Sequence, residues 1–192
     1  SLPDMPIELQ PLIPFLIFTA VFSALTSVAY MAAIRKGREL ATRSQWSMPK
    51  LLLSCVVVVG AIGVVVPDVA GLGLRQINQM LDAQFGLGML LVLLAGKIFV
   101  TAYCLNTGFF GGVFGPALFV GAATGAVVAH VAILLGLAPH LSSALPVAAI
   151  AAVGGAVIGA PLTAIMIVIE LTGSYAYGLS AMLCAILCSL LT

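Results

Sequence analysis

The residues with the most chemistry to offer form one short run: Asn106-Thr107-Gly108-Phe109-Phe110-Gly111-Gly112-Val113-Phe114-Gly115-Pro116. Gly111 and Gly112 carry no side chain, so the backbone there can turn tightly and leave N–H groups open. Pro116 suits the first turn of a helix, where its missing N–H costs nothing. The run therefore predicts a loop of free amides with a helix N-terminus behind it, which attracts anions. The nearest basic residue is Lys97, fourteen positions before Gly111, so the amides act without a local side-chain cation. Phosphate more commonly recruits Arg or Lys. The Walker phosphate loop is absent too, because Gly96-Lys97 is followed by Ile98 and preceded by no suitably spaced Gly. A monovalent anion held by partial charges alone binds weakly enough to leave again, as conduction requires. A halide-like ion fits that description better than phosphate. Close helix packing accounts for the same glycines, and composition alone does not separate the two.

Other chemically able residues are scattered. Cys55, Cys104, Cys184 and Cys188 all lie in apolar runs, and none forms a Cys-x-x-Cys pair. They read as small buried hydrophobes. Cys184 and Cys188 share a helix face but have no His or acid nearby, so no metal site is expected. His130 and His140 are likewise without a neighbouring ligand and read as interface histidines. Glu170 stands alone in an apolar helix, where an acid is a functional candidate by default. Lys97 either snorkels to an interface or lends positive potential to a pore mouth. Gly71-Leu72-Gly73 is a lone Gly-x-Gly with no nucleotide meaning. No acids, Ser/His pair or metal triad come together as a membrane-embedded enzyme such as an intramembrane protease would need.

The elements that must carry these residues are membrane helices. Of 192 residues, 62% are hydrophobic and only 7% are charged. A soluble domain carries roughly a quarter charged residues, and disorder needs still more charge and less hydrophobicity. Mean hydropathy is +1.27, which makes this a multi-pass integral membrane chain with the lipid bilayer as its first partner. A formal net charge of +1 gives nucleic acid no footing. Five of the seven basic residues (Arg35, Lys36, Arg38, Arg43, Lys50) fall within 35–50, between apolar runs at 11–34 and 51–66. The positive-inside rule places that stretch, read as a loop, in the cytoplasm with Trp46 at the interface. The opening Ser1-Leu2-Pro3-Asp4 lacks an initiator Met and a basic n-region, which suggests an excised piece of a longer chain. After Ile98, Glu170 is the one formally charged residue, yet Gly/Pro clusters cut the chain into unequal pieces. Several pieces are too short to cross ~30 Å of hydrocarbon. Broken helices at membrane depth are how transporters and channels place helix ends near the midplane.

Gly112-Val113-Phe114-Gly115-Pro116 resembles the Gly-x-Phe-x-Pro motif of the CLC family of chloride channels and proton-coupled chloride transporters. Lys97, Thr107-Gly108 and Gly111 fit the same stretch. Downstream, Gly159-Ala160-Pro161-Leu162-Thr163 through Glu170-Leu171-Thr172 resembles that family's Ala-Pro-Leu-Thr…Glu-x-Thr segment at family-like spacing. The resemblance covers essentially residues 1–192 and implies the second, C-terminal half of the family's two-half membrane domain. The fold it implies is all-α and transmembrane, about eight unequal and partly broken helices forming one inverted-topology repeat. It also implies an anion-site loop at 106–116, with chloride held partly by the backbone amides of Val113 and Phe114. Gly112, Gly115 and Pro116 would shape that site, Lys97 would stand at the pore mouth, and Glu170 would be a structural acid bonded to backbone or Thr hydroxyls.

The family's gating Glu, its Gly-Ser-Gly-Ile-Pro motif and its pore Tyr have no counterpart here. Glu8, Glu39 and Glu170 are each followed by Leu, and Gly173-Ser174 is followed by Tyr175. The partners implied are the missing N-terminal half of the same parent chain and a second copy. The second copy would meet the last two helices, near 162–172 and 177–191, with Gly178, Ala181 and Ala185 allowing close approach. No cofactor is expected, and chloride is the transported ligand. Related fluoride or other anion transport, or a non-conducting fragment that only dimerises, are the alternatives.

Overall fold

The computed structural model describes residues 9–44, 46–71, 73–109, 111–172 and 175–192. Among them the chain is all-helical: α1 (Leu9–Arg43), α2 (Met48–Val65), α3 (Leu74–Leu81), α4 (Leu87–Asn106), α5 (Phe114–Leu134), α6 (Pro139–Ser142), α7 (Ala144–Ile158), α8 (Pro161–Thr172) and α9 (Tyr175–Leu191). Of these, α6 is a single turn, and a 3-10 turn at Pro67–Val69 follows α2. Five segments are long and apolar enough to cross a membrane: 12–43, 48–65, 87–106, 114–134, and 139–158, which spans α6 and α7. At 1.5 Å per residue, the 12 residues of α8 reach about 18 Å, short of the hydrocarbon thickness. The expected inequality of the helices is therefore real.

The core is built on α7. Every residue from Ala144 to Gly155 is buried, and α5, α9, α1 and α8 all pack on it. Small residues make this possible. A Cβ at Gly121 would stand 2.7 Å from the Ala149 carbonyl oxygen, and one at Gly125 would stand 2.7 Å from the Leu145 oxygen. Gly121 and Gly125 are a Gly-x-x-x-Gly pair on one face of α5, so the two backbones touch across it. The first helix wraps the outside of this core. Leu12, Leu16, Ala20, Ala24 and Tyr30 face inward, while Ile17, Phe18 and Leu25 stay exposed, an apolar face suited to lipid.

Two expectations change in the structure. The basic stretch is not a loop from Arg35 to Lys50. Helix α1 continues to Arg43, and Lys50 lies inside α2, so only a short connection remains between them. Arg, Lys, Glu, Leu and Ala are good helix formers, so their charge marks a water-facing segment without breaking the helix. The small residues of α9 are also turned inward. Ala181 and Ala185 are fully buried, and a Cβ at Gly178 would stand 2.8 Å from Ile169 of α8. They serve packing within the chain. The outward face of α9 carries Leu179, Met182, Leu183, Ile186 and Leu190.

Candidate anion site at the start of α5

The last turn of α4 launches the glycine-rich segment. The Thr107 hydroxyl donates to the carbonyls of Tyr103 and Cys104 at 3.0 and 3.1 Å, and the Phe109 N–H donates to the Cys104 carbonyl at 3.3 Å. These bonds close the helix C-terminus that would otherwise leave carbonyls unpaired. Gly108 then takes φ +97°, the left-handed region, with the Met48 side chain of α2 packed where a Cβ would go. Asn106 fixes the same end laterally, donating from Nδ2 to the Ile34 carbonyl of α1 at 2.9 Å. Gly37 lets α1 pass that close, because a Cβ there would collide with the Asn106 amide.

Helix α5 begins at Phe114, with Val113 as its N-cap and no side chain capping it. The Val113 carbonyl accepts twice, from the Ala117 N–H at 3.0 Å and from the Tyr30 hydroxyl at 3.2 Å. Among the described residues, no acceptor takes the N–H groups of Val113, Phe114 or Gly115. Pro116, third in the helix, has no N–H to satisfy. The start of a buried 21-residue helix thus carries open donors at the positive end of its dipole. The Phe114 ring lies against Gly154 of α7, 3.7 Å from where a Cβ would stand.

The five motif residues Gly112 to Pro116 are therefore contiguous across one N-terminus. The loop itself is shorter than expected, because Asn106 ends α4 and Phe114 starts α5. Gly111 and Gly112 differ from expectation in a second way. Neither has a positive φ, both are exposed, and a Cβ on either meets nothing within 4 Å. The described structure does not itself require glycine at either position.

Lys97 does not snorkel. It is 3% exposed, and its ammonium donates to the carbonyls of Val69 and Gly71 at 3.0 and 2.5 Å. It also lies 4.8 Å from the centre of the Phe119 ring, a cation–π arrangement. Lys97 thereby ties the segment after α2 to α4 and α5. Glu170 stands on an exposed face of α8. The Thr172 side chain and the Gly173-Ser174 link beside it lie outside the described residues. Cys184 and Cys188 are buried in α9, and among the described residues no three metal-ligating side chains come together.

Sequence reasoning missed Tyr30, Gly37 and the Gly121/Gly125 pair. Tyr30 could have been flagged as a polar-tipped ring in an apolar span, and Gly121-Ala122-Ala123-Thr124-Gly125 as a helix-contact motif.

The chain spans 37% of the length of a curated relative it matches, the H(+)/Cl(-) exchange transporter ClcA of Vibrio cholerae serotype O1 (strain M66-2). Identity to that protein is 30% over 180 residues, 90% of this chain. The H(+)/Cl(-) exchange transporter ClcA of Vibrio vulnificus (strain YJ016) is 28% identical over 182 residues, 91% of this chain and 38% of that relative. In fold, the chain matches the crystal structure of a slow cyanobacterial Cl-/H+ antiporter with a TM-score of 0.83 and 22% identity. All of this chain and 45% of that one are superposed. A family model described as "Voltage gated chloride channel" matches residues 2–192, and with the broken all-helical fold and the open helix N-terminus it places this integral membrane chain in the voltage-gated chloride channel family.

Proposed function

We propose that this chain supplies the C-terminal half of a transmembrane chloride pathway, as one inverted-topology repeat, and that the backbone amides of Val113 and Phe114 hold the anion. The observation that carries the reading is the set of open N–H groups at the start of α5, beside two exposed glycines with free space around them. A chloride ion takes fixed partial charges there without a full cation to trap it. The Tyr30 bond holds the Val113 carbonyl back, which keeps the adjacent N–H groups presented. The relatives named as H(+)/Cl(-) exchange transporters support chloride as the substrate class. The basic end of α1 lies on the cytoplasmic side in this reading. Donors on the far side of the ion come from the N-terminal half, since an anion left half-coordinated in a low dielectric is expensive.

Two copies associate through α8 and the outward face of α9. Leu162 and Met166 of α8 and Leu179, Leu183 and Ile186 of α9 offer the exposed apolar surface.

Calorimetric chloride titration of the full-length protein tests the site. Gly112→Ala meets no obstacle inside this half, so the variant folds. If the space beside Gly112 belongs to the ion or to the opposing half, Gly112→Ala weakens chloride binding while Val113→Ile, which keeps its amide, leaves binding near wild type. Wild-type binding by a folded Gly112→Ala variant removes this loop from the anion site.

A further inference from the structure

Two grooves meet at Trp46, far along the chain from the anion loop. One, about 370 Å³, lies between the end of α1, the start of α2 and the last turns of α4, with Leu40, Leu51 and Phe99 in its walls and Lys36 among its lining residues. The other, about 540 Å³, runs along α2 past Leu53 and Val57 and carries Lys50. Trp46 and Ser54 line both. Both volumes fall within the roughly 300–1,000 Å³ typical of small-ligand pockets. Each groove therefore pairs an apolar trough with one ammonium, and a half-exposed indole stands between them (55% exposed).

We propose that the pair forms a site for one anionic diacyl phospholipid, an acyl chain in each groove and the headgroup phosphate between Lys36 and Lys50. Charge favours this occupant. Arg35, Lys36, Arg38, Arg43 and Lys50 are all exposed, and Glu39 is the one acid in their stretch. No salt bridge neutralises them among the described residues. A lysine near an anionic membrane surface is held there by the negative surface potential, and an indole prefers the headgroup level. A protein segment seated here would have to bring carboxylates for Lys36 and Lys50, whereas a phosphodiester brings its own charge and two apolar tails. The leaflet that supplies the lipid follows from the proposed orientation; the site does not depend on it. Asn106 and Thr107, which end α4 and open the anion loop, line the first groove, so the lipid props the segment that positions the chloride donors.

The test uses the full-length protein in nanodiscs with phosphatidylglycerol or phosphatidylcholine brominated on the acyl chains. The readout is the emission of Trp46, taken as the difference between wild type and Trp46→Phe. Phosphatidylglycerol should quench half of it at a mole fraction about tenfold lower than phosphatidylcholine does. The Lys36→Ala/Lys50→Ala double variant should lose that preference, and Arg38→Ala/Arg43→Ala should keep it. Equal quenching by both lipids means bulk lipid wets an apolar surface and overturns the proposal. So does loss of preference in the arginine variant, which means diffuse attraction to a basic patch. Absence of quenching by either lipid means that protein covers the grooves, and overturns it as well.

Discussion

At the scale of single residues, the glycines near the anion loop divide by what surrounds them. Gly108 sits at φ +97° against Met48. Any Cβ there is strained by the left-handed backbone and crowded as well, so Gly108→Ala should cost about 1–3 kcal/mol of stability. Gly111→Ala, with nothing near it and no positive φ, should leave thermal unfolding in detergent close to wild type. Equal melting shifts for the two would contradict this division. Tyr30→Phe keeps the ring packing and removes one donor to the Val113 carbonyl, a net loss of about 0.5–1.5 kcal/mol. The Ala117 bond to that carbonyl remains, so chloride affinity should fall severalfold and not vanish. Titration calorimetry reads the difference, and unchanged affinity would detach Tyr30 from the site. The start of α5 was legible because the missing N–H of proline is a local property, whereas the conformational freedom expected of Gly111 and Gly112 is not used, since neither has a positive φ. Tyr30 was not legible, because its partner is 83 residues away and nothing in the intervening sequence points to it.

At the scale of elements, α2 is the helix held most lightly. Its buried residue is Cys55, and its contacts run to the end of α4 and the turn beyond. The Cys55 Sγ lies 3.7 Å from the Cys104 Sγ, the Tyr103 hydroxyl donates to Ser54 at 3.2 Å, and Met48 packs on Gly108. Oxidation with copper phenanthroline should therefore join Cys55 and Cys104, seen as a loss of both free thiols that Cys55→Ser prevents. Persistence of both thiols under conditions that oxidise exposed cysteines would show that α2 docks elsewhere. The same scale explains why the basic stretch is mostly helix. Charge reports contact with water or headgroups, while helix continuity depends on propensity, and 35–43 has few residues that break a helix.

At the scale of the whole molecule, the uneven helix lengths and the Gly/Pro breaks were legible because a hydrocarbon layer of fixed thickness makes a short apolar helix stand out. The direction in which a small-residue stripe faces was not. Such a stripe permits close approach but does not name the partner, and for Gly178, Ala181 and Ala185 the partner is the chain itself. Association of two copies should accordingly respond to the outer face. Ile186→Trp, at a residue 47% exposed, should shift the full-length protein toward monomers in a single-molecule subunit-counting assay in bilayers. Ala181→Trp should instead damage the fold, because overpacking a filled core costs about 1–3 kcal/mol or more. Monomerisation by neither outer-face substitution nor its Leu183→Trp counterpart would move the interface away from α9.

The central claim is that backbone N–H groups at Val113 and Phe114 hold the anion. Bromide replaces chloride at sites built from partial charges and scatters anomalously, so crystals of the full-length protein soaked in bromide locate the ion directly. An anomalous peak within hydrogen-bonding reach of both amides is the predicted result. Bromide peaks elsewhere in the protein, with none at the start of α5, would contradict it.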